Sequence, residues 1–102
     1  MASLGKRVAG KAKNEDFYRA ILLLQTEEEC YSFFRDVCTL NELRAMEQRF
    51  EVARLLTKGM VYNDILERTG ASSATISRVS RSLNDSDGGY DCVFGRMDGN
   101  GS

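Results

Sequence analysis

The chain has 102 residues, a single-domain length, with 42% hydrophobic and 28% charged residues, so it is globular rather than wholly disordered. Its 14 Lys and Arg nearly balance 15 Asp and Glu, and a net charge of -1 taken whole favours no polyanionic partner. The longest apolar run, Ala20 to Leu24, is five residues and there is no His, which excludes a membrane-spanning helix and His-based triads or zinc sites.

Residues 1–13 hold Lys6, Arg7, Lys11 and Lys13 with no acid and no apolar core segment, so they are expected to form a flexible basic arm rather than a secretory leader. Proline is absent throughout, so little interrupts helices after that point, and the chain reads as all-α. Asn14 is placed to cap a first helix running to about Gln25, with Phe17, Ile21 and Leu24 on one side and Leu22 and Leu23 widening the stripe. Thr26 followed by Glu29 is a capping box for a second helix, whose apolar stripe is Cys30, Phe33, Phe34, Val37 and Cys38. Thr39 followed by Glu42 repeats the box for a longer helix with Leu43, Met46, Phe50, Ala53 and Leu56 inward, stopped by Gly59. Such wide stripes exceed what one small helical head can bury, and a homodimer sharing the N-terminal helices would absorb the excess.

Residues 62–83 read YNDILERTGASSATISRVSRSL. A short helix ends at Gly70, which supplies a positive φ for a tight turn, and a second helix capped by Ser72 follows. Ile65 and Leu66 on the first would pack against Ile76, Val79 and Leu83 on the second, the helix-turn-helix arrangement. The free face of the second helix carries Ser73, Ala74, Ser77, Arg78, Arg81 and Ser82. It is small, hydroxylic and basic, and no acid lies between Arg68 and Asp85. Small residues let a helix enter a major groove, hydroxyls bond base edges or phosphates, and the helix N-terminus favours phosphate. Charge by segment agrees: residues 14–51 are acidic, while the arm and residues 72–84 are basic. Beyond Asn84, residues 85–102 are expected to be a linker, at most a short helix, and a disordered tail.

The stretch TGASSATISRVSRSL resembles the DNA-reading segment of the Trp repressor family, and TLNELRAMEQRFEVARLLTKG resembles the helix before it. With EECYSFFRDVCT, GASSATISRV and the trailing Tyr90, the fuller pattern from about Phe17 to Phe94 is similar to the YerC/YecD group of Trp repressor-like proteins. The resemblance implies intertwined N-terminal helices in a homodimer, with residues 14–84 as the domain and two helix-turn-helix heads reading a palindromic operator on double-stranded DNA. Ser72, Ser73, Ala74 and Ser77 would face bases, and Arg78, Arg81, Arg54 and Lys58 would meet phosphates. Thr39, Arg49, Arg78 and Ser82 match the positions that hold the corepressor in that family. The small Gly after the second arginine is Val79 here, and its β-branched side chain should fill the space an indole needs, so tryptophan is not expected to bind. Leu66 and Asn84 stand where the repressor has lysines. With a sequence pI of about 5.4, this leaves open a dimeric helical adaptor with degenerate DNA binding, or a regulator gated by another small effector.

Cys30 and Cys38 are eight residues apart on one helical face, about 12 Å along the axis, too far for a disulfide. Three cysteines without a CxxC pair point to a reducing, cytoplasmic setting. Glu27, Glu28 and Glu29 complement a helix dipole rather than a metal. No base, nucleophile and oxyanion donor converge in the sequence, so neither an enzyme nor a cofactor is expected.

Overall fold

The computed structural model describes residues 12–85 and 87–99. Lys6, Arg7 and Lys11 of the basic arm, and the last residues of the tail, lie outside that range. The described residues form six α-helices and no strand: α1 (Glu15–Leu22), α2 (Glu27–Val37), α3 (Leu40–Thr57), α4 (Tyr62–Thr69), α5 (Ser73–Asp85) and α6 (Gly89–Met97). They fall into two compact units, residues 1–39 and residues 40–102.

The first unit contains α1 and α2. Asn14 caps α1, its side chain accepting from the Phe17 N–H at 3.3 Å. The helix ends at Leu22, short of the Gln25 expected from periodicity, with Leu23 as its C-cap. The apolar run through Leu24 carries no stop signal of its own. At the start of α2, Thr26 Oγ1 accepts from the Glu29 N–H at 3.0 Å. Glu29 reaches back to accept from the Gln25 N–H at 2.8 Å, one residue before the cap itself. Phe17 and Phe33 lie 6.1 Å apart between ring centroids, and Phe33 meets Phe34 edge-on at 5.5 Å. Even so, neither helix buries a single residue. Leu22 is 83% exposed and Leu23 76%.

The second unit holds the core. Val52 and Ala53 from α3, Ile65 from α4, Ala71 from the turn, Ile76 and Val79 from α5, and Phe94 from α6 form one buried cluster. Leu55, Leu56, Met60, Leu66, Leu83 and Tyr90 pack around it. Fully burying a side chain such as Ile65 or Ile76 contributes roughly 1.5–3 kcal/mol. α3 therefore serves as the backing on which α4 and α5 are mounted, and these three helices pack against one another. The stripe expected on α3 is met at Leu43 and Ala53, but Met46 and Phe50 are exposed and Val52 is fully buried instead. α6 brings Phe94 into the cluster, so the core takes in a residue beyond Asn84.

Candidate nucleic-acid interface

The turn between α4 and α5 is built from four consecutive residues with distinct tasks. Thr69 Oγ1 donates to the Ile65 carbonyl at 2.8 Å and accepts from the Ala71 N–H at 3.1 Å. Between them Gly70 takes φ +73, a left-handed conformation that costs an L side chain roughly 1–2 kcal/mol. Its N–H donates to the Leu66 carbonyl at 2.9 Å and closes α4. Ala71 then drops into the core at 3% exposure, fixing the direction in which the chain leaves. Ser72 Oγ accepts from the Thr75 N–H at 3.1 Å and donates to Thr75 Oγ1 at 3.0 Å, the cap expected from sequence. From behind, Gln48 Nε2 on α3 donates to the Thr69 carbonyl at 3.2 Å, tying the turn to its backing helix.

With the turn set, α5 has two unlike faces. Ile76 and Val79 are buried and Leu83 partly so. Ser72, Ser73, Ala74, Arg78, Arg81 and Ser82 are exposed, and Ser77 is half-buried at the boundary. The first turn of α5 contains no acid. Solvent thus meets the positive end of a helix dipole flanked by hydroxyls and followed by two arginines, an arrangement suited to an anionic backbone.

Lys58, just past α3, is exposed. Arg54, grouped with it as a phosphate contact, is committed elsewhere in this structure. Its Nη1 donates to Asp98 Oδ2 at 3.2 Å, and its Nη2 bonds Asp98 Oδ1. The guanidinium carbon also lies 4.9 Å from the centroid of the Phe94 ring. Hydrogen bonding to Arg54 holds the Asp98 carboxyl below its ordinary value, Lys58 adding to the effect, while Asp98 raises Arg54. Sequence reasoning missed Asp98. The available signal was the four-residue spacing of Tyr90, Phe94 and Asp98, which gives one helical face two rings and a carboxylate.

Of the residues matched to a corepressor pocket, Arg49, Arg78 and Ser82 are exposed on the second unit, and Thr39 belongs to the first. Val79 is 2% exposed within the core. A separate open groove of about 470 Å³ is lined by Phe50, Gly89, Tyr90 and Val93. Among the described residues no group of Cys, Asp and Glu is placed to hold a metal ion, and no helix is long and apolar enough to cross a membrane.

The model of the Trp repressor protein family matches residues 12–98, which takes in every helix described above. The chain belongs to the Trp repressor family. Within the Trp repressor family it stands with the YerC-like group: it is 47% identical over 83 residues to the uncharacterized protein YerC of Bacillus subtilis (strain 168), covering 81% of this chain and 80% of that one. A TrpR-like protein from Eubacterium eligens ATCC 27750 superposes with a TM-score of 0.79 at 55% identity, over 81% of this chain and 86% of the other. A candidate Trp repressor from Staphylococcus aureus superposes with a TM-score of 0.80 at 44% identity, over 82% and 84%. The Trp repressor family comprises helix-turn-helix DNA-binding regulators rather than enzymes, and α4, the Gly70 turn and α5 are that motif here.

Proposed function

We propose that the chain is a sequence-specific transcriptional regulator that acts as a homodimer and reads a palindromic operator on double-stranded DNA with α5 in the major groove. The observation that carries this reading is the division of α5: Ile76 and Val79 bury one side, while Ser72, Ser73, Ala74, Arg78 and Arg81 lie exposed with no carboxylate among them. Ser72, Ser73, Ala74 and Ser77 address base edges, and Arg78, Arg81 and Lys58 address phosphates. Two heads reading successive major grooves stand about 34 Å apart.

Support for the homodimer comes from the first unit. Helices α1 and α2 bury nothing, yet this unit presents Leu22, Leu23, Tyr18 and Val37 at more than half exposure. Exposed apolar side chains gathered on one short helical unit are the kind of surface that marks a protein–protein contact. Tryptophan is not the effector in this reading, because Val79 carries two methyl groups where the family's pocket needs a bare backbone. In this reading the protein works in a reducing, cytoplasmic compartment, where Cys30, Cys38 and Cys92 stay free.

Titration of the full chain against labelled genomic duplex fragments across a salt series tests the proposal. Binding at low salt with a falling linear dependence of log K on log salt is expected. Absence of binding below about 10 μM would sink it, since non-specific DNA binders commonly reach 1–100 μM even at physiological salt.

A further inference from the structure

We infer that Arg54 and Lys58 form a phosphate site that the free chain fills with its own Asp98 carboxylate, and that a DNA backbone phosphate displaces Asp98 from it. The inference rests on the DNA reading above and adds to it a counter-ion built into the fold.

Arg54 and Lys58 are four residues apart, one turn of α3 and its continuation, so they share a side at the C-terminal end of that helix. That end lies just upstream of α4, the first helix of the helix-turn-helix, and in such motifs the first helix crosses the nucleic-acid backbone. The anion that occupies the pair comes from 44 residues further along the chain. It reaches Arg54 through both carboxylate oxygens, the fork geometry that guanidinium also offers to phosphate. The Arg54 side chain is 19% exposed and that of Asp98 44%, so water and a competing anion reach the carboxylate side.

The aromatic groups explain why the pair is a site and not only a surface contact. Phe94 lies beneath the guanidinium, stacked in turn on Tyr90 at 5.6 Å and against Phe50 at 5.4 Å. This platform holds Arg54 in one orientation whether or not Asp98 is bonded to it. Losing the carboxylate therefore exchanges one anion for another on a preorganised cation. Phosphate exceeds carboxylate here only when it arrives with the rest of a backbone already held by Arg78 and Arg81. Asp98 thus suppresses weak, partial encounters with DNA more than full docking.

Fluorescence anisotropy of the full chain on labelled duplex, over a range of salt concentrations, tests this with Asp98→Asn and Arg54→Gln/Asp98→Asn. One added phosphate contact steepens the slope of log K against log salt by about 0.9 and raises affinity by up to roughly eightfold at 0.1 M salt. The single variant should gain both on non-specific duplex, and the double variant should lose both. Far-UV helicity checks folding of each, and Asp98→Ser replaces Asp98→Asn if the latter unfolds. If the wild type binds and Asp98→Asn keeps its slope on non-specific duplex, with only a lower melting temperature, the carboxylate is a structural clasp and the inference falls alone. Failure of wild type and variants alike to bind any duplex overturns the DNA reading and this inference with it.

Discussion

Thr69 and Ala71 are joined across Gly70 by a hydrogen bond from the Ala71 N–H to Thr69 Oγ1 at 3.1 Å. The same hydroxyl is anchored on the Ile65 carbonyl, so the turn is braced from the first helix of the motif and not from solvent. Replacing Thr69 by Val keeps the shape and removes both bonds. The Ala71 N–H then lacks its partner, at a cost of about 1–3 kcal/mol, readable as a fall in the urea midpoint with an unchanged m-value.

Gly70→Ala isolates the backbone contribution of that turn. A Cβ at this position meets nothing within 4 Å, so packing gives no penalty. The left-handed φ alone should destabilise the second unit by about 1–2 kcal/mol. A neutral result in chemical denaturation would show that the turn relaxes to another conformation.

Ser72 separates stability from binding. Ser72→Ala removes the cap bond to Thr75 and should cost about 1 kcal/mol in urea unfolding. Ser72→Asp keeps a capping oxygen but sets a negative charge at the mouth of α5. Its melting temperature should stay near wild type while affinity for every duplex falls.

Two of these three predictions concern residues, Gly70 and Ser72, whose roles are legible in sequence, because caps and turns are local. Asn14, Thr26 and Ser72 each accept the expected N–H, and α4 runs from Tyr62 to Thr69 because Gly70 ends it. Long-range choices are less legible. The period of α3 identifies a stripe through Met46 and Phe50 but cannot say whether this chain or another covers it. Those two stay exposed while Val52 is sealed. Nothing near Arg54 in sequence announces Asp98, and a glycine-flanked segment reads as linker until Phe94 is found in the core.

Under the proposed DNA reading, the residues assigned to bases and to phosphates on α5 are expected to behave differently. Arg81→Ala should weaken binding to specific and random duplex alike and shallow the salt slope by about 0.9. Ser73→Ala should leave the slope and change the ranking of sequences in a random-library selection. Equal loss on all sequences for both variants would contradict the division of labour.

Docking of α6 should depend on pH in a defined direction. The folded-state value of Asp98 is depressed below its ordinary 3.8, chiefly by the bond to Arg54. Its contribution is therefore full above the unfolded value and is lost as pH falls through the lower folded one. Thermal melts should show no Asp98-linked change from neutral pH down to about 5, and then a loss on further acidification. Asp98→Asn should remove that part of the acid limb; an unchanged acid limb would mean that other carboxylates carry it.

The two faces of α5 also separate what can vary from what cannot. Ile76 and Val79 are held by the core, whereas Ser73, Ala74 and Ser77 neither cap the helix nor lie fully buried. Substitutions at the latter cost the fold little, so under the proposed DNA reading the sequence preference can drift or be redesigned while the architecture stays fixed. In that reading one scaffold serves many operators at the expense of a few surface side chains.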